Sequence, residues 1–404
     1  MSEARRIVVL GALAQMPFAG VAWQVLHYLE GLRRLGHDVT YLEDTGNWPY
    51  DPDLETITDD ATGAAARLGT VLAAHGFGER WAFVNAAREG EIHGPLAARL
   101  DGLLAEADVL LNLSGATILH DAHLDVPVRI YLETDPVTPQ LELDQGRGST
   151  RDILAAHTHH FTFGERIGTD GCEIPTGGFD YRPTRQPVVL DWWRPDGLPG
   201  GASGRASAKG AIADPDGFRF TTIASWDQPH KDIEWRGETY RWSKSAEFEK
   251  LLGVPARVGA SIELALALDD GATLARLRAA GFRVRPARDL SGDHEAYRAF
   301  IRASGGEFTA AKDQNVRLRS GWFSDRTATY LAAGRPVVVQ DTGFDAVLPT
   351  GEGLLSFRTA DEAVAALEDV AGDPARHGAA ALAIAREYFD AGVVLGRLLQ
   401  DAGV

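Results

Sequence analysis

The sequence is nearly without thiols, with one cysteine, Cys172, in 404 residues. A lone cysteine excludes an internal disulfide and any metal site built on several thiolates, and Cys172 is expected to be a small loop or core residue. Positive charge is also in short supply. The 40 Lys and Arg stand against 57 Asp and Glu, a formal net charge of −17. That balance argues against nucleic acid or an anionic membrane surface as a partner, because both require a basic face. No apolar run approaches the roughly 18 residues of a membrane span. The N-terminal run IVVLGALA is broken by glycine and reads as a strand, too short for a signal peptide. The expected location is cytoplasmic. The first strand is not followed by G-x-G-x-x-G, so no dinucleotide site is read there. No D-x-D metal motif falls in a suitable loop.

What is present suits a soluble globular chain. Apolar residues make up 45%, and the length prior gives about two to three domains. Ile7–Leu10 is a continuous apolar run, as expected of a parallel strand buried on both faces. Apolar residues at helical spacing follow over Val21–Leu35, and Gly36 stands where a C-cap glycine belongs. Asp38–Leu42 is the next strand. Helices are expected over Ala61–Ala74 and Pro95–Glu106. The strands Val109–Leu113, Val128–Leu132 and His159–Phe163 end in polar or glycine residues, at the edge where open α/β sheets bind ligands. From Tyr181 to Gly217 the chain turns to Pro, Gly, Ala and Ser without a helical period, an interdomain crossing and a long loop. A second alternation begins at Phe218. It runs through strands at Phe218–Ile223, Ser261–Leu268 and Phe282–Val284, with helices at Ser243–Leu252, Gly271–Ala280 and His294–Ala303. It closes with helices at Asp361–Val370 and Pro374–Tyr388. The expected domains are 1–180, a linker and loop over 181–217, 218–385, and a C-terminal helix over 386–404 that packs back on the first domain.

The densest signals lie between Gly305 and Gly353. The order there is strand, basic loop, helix, strand, Gly-rich loop. Lys312, Arg317, Arg319 and Arg326 gather around two glycines, and Ser324-Asp325 would cap the helix that Arg326 opens. Thr327 adds a hydroxyl. The buried strand Val337–Val339 leads to the turn Asp341-Thr342-Gly343. Cations beside a helix N-terminus are a place to hold an anion.

Two motifs resemble the GT-B glycosyltransferases. One is the opening half with GLRRLGHDVT. The other is AAGRPVVVQDTGF, which is similar to the E-A-x-A-x-G-x-P-V run of the retaining nucleotide-sugar enzymes. The resemblance implies an α/β chain of two Rossmann-like domains facing a central cleft, the acceptor on the N-terminal domain and the donor on the C-terminal one. It implies metal-independent transfer of a hexose from a nucleoside diphosphate sugar to a small-molecule or saccharide acceptor. No cofactor is implied beyond that co-substrate. The family's two glutamates fall on Gly321 and Thr329, and its R-x-x-E pattern matches only at Arg326, so the carboxylate grip on the donor does not carry over.

The residues expected at the donor are therefore Lys312, Arg317, Arg319, Ser324, Asp325, Arg326, Thr327, Asp341, Thr342 and Gly343. Trp226 joins them at a strand tip, with Arg236 and Lys244, which resemble the family's Arg and Lys. Glu133 and Asp135, at another strand tip, are the candidate general bases. His157, His159 and His160 look like a metal cluster, but strand alternation sends His159 and His160 to opposite faces. His120 and His123 read as surface histidines, and no metal site is expected. A nucleotide-sugar epimerase or hydrolase on the same fold, and a non-catalytic nucleotide- or glycan-binding protein, stay open as alternatives.

Overall fold

Continuous apolar runs become central parallel strands, and glycines and caps set where the helices stop. The structure, a computed structural model, describes residues 3–52, 54, 56–194 and 218–404. The linker and loop expected over 181–217 lie, from 195 onward, outside the described residues. The chain divides into two units. The first comprises Met1–Phe163, Pro175–Pro187 and Ala391–Val404, and the second Gly164–Ile174 and Val188–Asp390.

The first unit carries β1 (Arg6–Leu10), β2 (Asp38–Glu43), β3 (Tyr50–Asp51), β4 (Thr56–Ile57), β5 (Trp81–Val84), β6 (Ile92–His93), β7 (Val109–Leu113), β8 (Val128–Glu133), β9 (His159–Thr162) and β10 (Tyr181–Pro183). Eight of them form one sheet in the order β10-β9-β8-β7-β1-β2-β5-β6. Every neighbouring pair is parallel except the edge pair β5/β6. Its helices are α1 (Ala19–Arg34), α2 (Thr62–Ala74), α3 (Leu100–Ala105), α4 (Asp121–Leu124), α5 (Thr138–Asp144) and α6 (Gly148–Ala155). Gly36, at φ +95°, ends α1, with its N–H donating to the Arg33 carbonyl at 3.0 Å. That is the left-handed stop expected of it. β5 and β10, short and poorly alternating, had no legible sequence pattern.

The second unit carries β11 (Arg219–Ser225), β12 (Ile233–Trp235), β13 (Glu238–Tyr240), β14 (Ser261–Ala267), β15 (Arg283–Pro286), β16 (Gly306–Thr309), β17 (Val337–Gln340) and β18 (Leu354–Phe357). Six of them make an all-parallel sheet in the order β15-β14-β11-β16-β17-β18. With only the six strands of this sheet numbered along the chain, that order is 3-2-1-4-5-6, the doubly wound arrangement whose ligands bind where the order reverses, here between β11 and β16. Its helices are α7 (Ser245–Glu249), α8 (Gly271–Ala279), α9 (Arg288–Ser291), α10 (His294–Ala303), α11 (Asp313–Arg317), α12 (Asp325–Ala332), α13 (Ala360–Gly372) and α14 (Pro374–Ile384). Phe220, Phe248, Leu264, Phe308 and Val338 are fully buried in its core.

The last helix, α15 (Ala391–Asp401), packs in the first unit against α1. Gly31 of α1 makes that approach possible, because a Cβ there would lie 2.5 Å from Leu395 Cδ1. Gly164–Ile174, by contrast, is counted with the second unit. Gly164 bridges to Trp322, and the Arg166 N–H donates to the Ser320 carbonyl at 3.1 Å. These bonds join residues more than 150 positions apart, which no local pattern encodes.

Candidate functional site

A pocket enclosing about 260 Å³, part of it open to solvent, lies at the C-terminal tips of β16 and β17. This is the strand edge beside the reversal of sheet order. Lys244, Ser324, Thr327, Gln340 and Thr342 supply its polar wall, and Trp322 and Phe344 its aromatic one. The strand tips place Gln340, whose Oε1 accepts from the Ala311 N–H at 3.2 Å and whose Nε2 donates to Glu247 at 2.6 Å. The loop between β16 and α12 is braced from within and from the turn after β17. The Ser320 hydroxyl donates to Asn315 at 2.7 Å, and the Thr342 hydroxyl donates to the Trp322 carbonyl at 2.5 Å. Lys244, only 8% exposed, precedes α7, and its neighbours Arg241 and Ser243 bond to residues 313 and 314. Lys312 lies 3.4 Å from the Trp242 ring centre and 5.9 Å from that of Trp322. It thus borders the pocket on an aromatic shelf.

The N-terminus of α12 borders the same pocket. Ser324 holds the cap position with extended backbone, φ −87° and ψ 140°, but its hydroxyl makes no capping bond. The cap expected of Ser324 is thus a backbone position only. Its consequence is that the first-turn N–H groups are not taken up by that side chain. Asp325 begins the helix beside it, half-buried.

Several expected donor ligands are engaged elsewhere. Arg326 turns inward and donates to Glu307 at 2.6 Å, to the Ile223 carbonyl, and to Thr309 at 3.1 Å. Its side chain is 10% exposed and that of Glu307 is 0%. Arg326 is therefore an internal ion-pair partner, not a cation presented to a ligand. Arg317 lies over the Tyr240 ring and bonds to the Thr239 carbonyl at 2.7 Å and to Glu238, which ties α11 to the β12–β13 hairpin. Arg236 occupies the tip of that hairpin with Gly237. Both have positive φ, +52° and +80°, as a two-residue primed turn demands, and the guanidinium covers Trp235. Trp226 is 4% exposed, stacked on Phe248 within the core.

Arg319 and Asp341 meet each other. Arg319 donates to Asp341 at 2.9 Å, Arg358 donates to the same oxygen at 2.8 Å, and Asp345 bonds to both arginines. Burial works to raise the Asp341 carboxyl, but the Gly343 N–H, Arg358 and Arg319 outweigh it and hold it below the ordinary value. Asp341 thus fixes the Gly343 turn, where φ is +96° and a Cβ would lie 2.9 Å from Arg166. Among the described residues, the Arg166 side chain donates to the carbonyls of Arg319 at 3.3 Å and Gly171 at 3.1 Å. Of the expected donor set, the structure brings Lys244, Ser324, Thr327 and Thr342 to the pocket wall, with Lys312 beside them. It adds Gln340, Trp322, Phe323 and Phe344. Gln340 was readable as the last residue of the buried run VVVQ, while the aromatics carried no distinguishing sequence signal.

No family model matches the sequence, and no curated protein does. Solved structures match over the whole chain. One is an α-glucosyltransferase in complex with UDP-glucose and DNA containing an abasic site, with a TM-score of 0.59 at 10% identity, covering all of both chains. Another is Anabaena Alr3699/HepE in complex with UDP and glucose, with a TM-score of 0.55 at 10% identity over 99% of each chain. The fold is GT-B. At 10% identity the likeness is one of fold.

In the first unit of this GT-B chain two buried carboxylates stand at strand tips. Glu133, expected as a base open to substrate, is 2% exposed and closed in by Gln140 at 2.7 and 2.8 Å and Thr162 at 2.7 Å. Gln140 in turn accepts the Val137 N–H at 2.7 Å, where Val137 sits at φ +93°. Glu133 therefore anchors a strained strand exit. Asp135, two residues on, is half-buried in the loop so held. Glu43 was not singled out in the sequence. It is fully buried and accepts from the Ala14 and Gln15 N–H groups, each at 2.6 Å, and from the Tyr41 hydroxyl at 2.9 Å. Its signal was only that it ends a strand. Burial pushes both carboxyls up to about 7, against the partial opposition of these hydrogen bonds.

A folded-state pKa above that of the unfolded chain means the fold holds its proton more tightly. Stability from Glu133 is then full below about 4.5 and lost as pH rises through 7. At about 1.4 kcal/mol for each tenfold change in proton affinity, the loss is roughly 3 kcal/mol. Glu133→Gln is expected to gain about that much on the wild type between pH 4.5 and 7.5 in urea-unfolding curves. A constant difference across that range would show that Glu133 does not titrate there.

The histidines near β9 are each satisfied separately. His157 bonds to the Ile153 carbonyl at 2.9 Å and to Asn112 at 3.1 Å, and His160 donates to the Leu154 carbonyl at 2.8 Å.

Proposed function

We propose that the chain is a glycosyltransferase that moves a hexose from a nucleoside diphosphate sugar to a small-molecule or saccharide acceptor. The second unit would hold the donor and the first the acceptor. The observation that carries this reading is the pocket at the tips of β16 and β17, where Lys244 and the N-terminus of α12 meet beside Lys312. The bond from the sugar's anomeric carbon to the diphosphate oxygen breaks with the electron pair going to the leaving group. The leaving diphosphate gains negative charge as that happens. The Lys244 and Lys312 ammonium groups and the N–H donors of the helix would receive that charge. In this reading the cations stand in for a metal at the diphosphate, and no further cofactor is used. The aromatic wall of Trp322 and Phe344 suits the apolar faces of a sugar or base.

The GT-B neighbours were solved with UDP or UDP-glucose, which makes uridine nucleotides the first to try. One neighbour was solved with DNA, but the net charge of −17 here favours an uncharged or cationic acceptor. Asp135 is the acceptor-side residue left as a general base, since Glu133 is enclosed. No helix among the described residues is long and apolar enough to cross a membrane, and a cytoplasmic location remains part of the proposal.

The test is chromatography of released nucleoside diphosphate from a panel of nucleotide sugars, with and without a panel of saccharide and small-molecule acceptors. Release that requires an acceptor is the expected result. Equal release without acceptor would mark a hydrolase, and binding with no release in any mixture would mark a binding protein. Either overturns the reading.

A further inference from the structure

The first unit brings together three metal-ligating side chains that the transfer reaction does not use. Asp44 follows the last residue of β2. His120 and His123 flank the start of α4, in the connection that leaves β7. In the sheet β1 lies between β7 and β2, so the two loops meet across the C-terminal end of β1. His120 Nε2 is 2.9 Å from Asp44 Oδ2, and His123 Nε2 is 3.8 Å from the same oxygen. The two imidazole rings are 4.1 Å apart at their centres. One ligand atom from each residue lies within 4.8 Å of the other two.

The decisive feature is His123. It is fully buried, and its Nε2 has no hydrogen-bond partner among the described residues. A buried polar nitrogen left this way costs roughly 1–3 kcal/mol, so its orientation toward Asp44 calls for an explanation. The side chains of His120 and Asp44 are 56% and 16% exposed, leaving a path from solvent.

We propose that Asp44 Oδ2, His120 Nε2 and His123 Nε2 bind one Zn2+ ion. Two imidazoles and one carboxylate are a borderline-soft donor set that suits Zn2+ and not Mg2+ or Ca2+. Bond lengths of about 2.0–2.2 Å in a tetrahedron set ligand atoms about 3.3 Å apart, between the two distances to Asp44 seen here. The ion takes up the orphaned Nε2, and a water completes the fourth position. It replaces the 2.9 Å hydrogen bond between His120 Nε2 and Asp44 Oδ2, and it breaks the 3.4 Å approach of the His120 N–H to His123 Nδ1, because Nδ1 of His123 then carries the ring proton. The bound ion ties the α4 loop to the tip of β2.

The test uses the intact protein, stripped with a chelator and dialysed, and needs no nucleotide or acceptor. Titration calorimetry with ZnCl2 should give one ion per chain. Co2+ in its place should show the intense visible absorption of a four-coordinate site. His120→Ala removes an exposed ligand without opening the core and should weaken Zn2+ by at least tenfold. Asp44→Asn should do the same. His230→Ala, an exposed histidine of the other unit, should leave binding unchanged. With 12 histidines in the chain, adventitious binding has a clear signature. His120→Ala and Asp44→Asn would then both bind as tightly as wild type, and the proposal would be overturned. Failure of the wild type to take up a stoichiometric ion would overturn it equally.

Discussion

Arg326→Met is expected to lower the free energy of unfolding by about 3–5 kcal/mol. Arg326 and Glu307 form an ion pair whose carboxylate side is fully buried and whose guanidinium side is nearly so. Removing the cation leaves the Glu307 carboxylate in the interior without the charge that compensates its lost hydration. Among the described residues its Oε2 is already without a hydrogen-bond partner. Most of the cost is that stranded charge, not the pair's own net worth. The double variant Arg326→Met with Glu307→Gln should therefore recover the larger part of the loss. Urea unfolding of the two variants beside wild type reads this directly, and the double variant keeps the test informative if the single one fails to fold. A loss under about 1 kcal/mol for Arg326→Met would show that the pair does not hold β16 to α12. In any Arg326 variant, weaker nucleotide binding is expected to follow the loss of fold.

Lys244→Met is expected to do the opposite, with a large effect on ligand and a small one on fold. Lys244 lines the pocket and is 8% exposed. Methionine keeps most of its length and apolar stem while removing the charge. A charge-assisted hydrogen bond to a phosphate oxygen contributes about 1.5–3 kcal/mol, so affinity for a nucleoside diphosphate should fall about 10- to 150-fold. The unliganded melting temperature should change far less than for Arg326→Met. Equilibrium binding of a labelled nucleoside diphosphate measures the first quantity and a melting curve the second. Unchanged affinity would move the diphosphate away from this pocket.

The two substitutions also mark what was legible in the sequence. The first strand, its helix and the glycine that stops it were readable, because burial on both faces and a left-handed C-cap leave local marks in IVVL and LGHD. So was the strand–helix–strand unit between Gly306 and Gln340, which carries the pocket. The role of each cation in that unit was not readable. Arg326 pairs with a glutamate 19 residues earlier, Arg317 with one 79 residues earlier, and Arg319 with an aspartate 22 residues later. A run of basic residues looks like an anion site until such partners are known, and all three arginines gathered there have carboxylate partners. The β12–β13 hairpin was missed because its strands are three residues each, with a turn that uses Arg236 at positive φ in place of asparagine or aspartate. His123 was misread for a related reason. A four-residue helix has too little periodicity to say which of its residues points inward.

Titration calorimetry of the intact wild-type protein with UDP, GDP, ADP and TDP in turn tests the central claim most directly. The account predicts saturable one-to-one binding of at least one of them, with heat that is lost in Lys244→Met at the same concentrations. No saturable heat with any of the four nucleotides would contradict it.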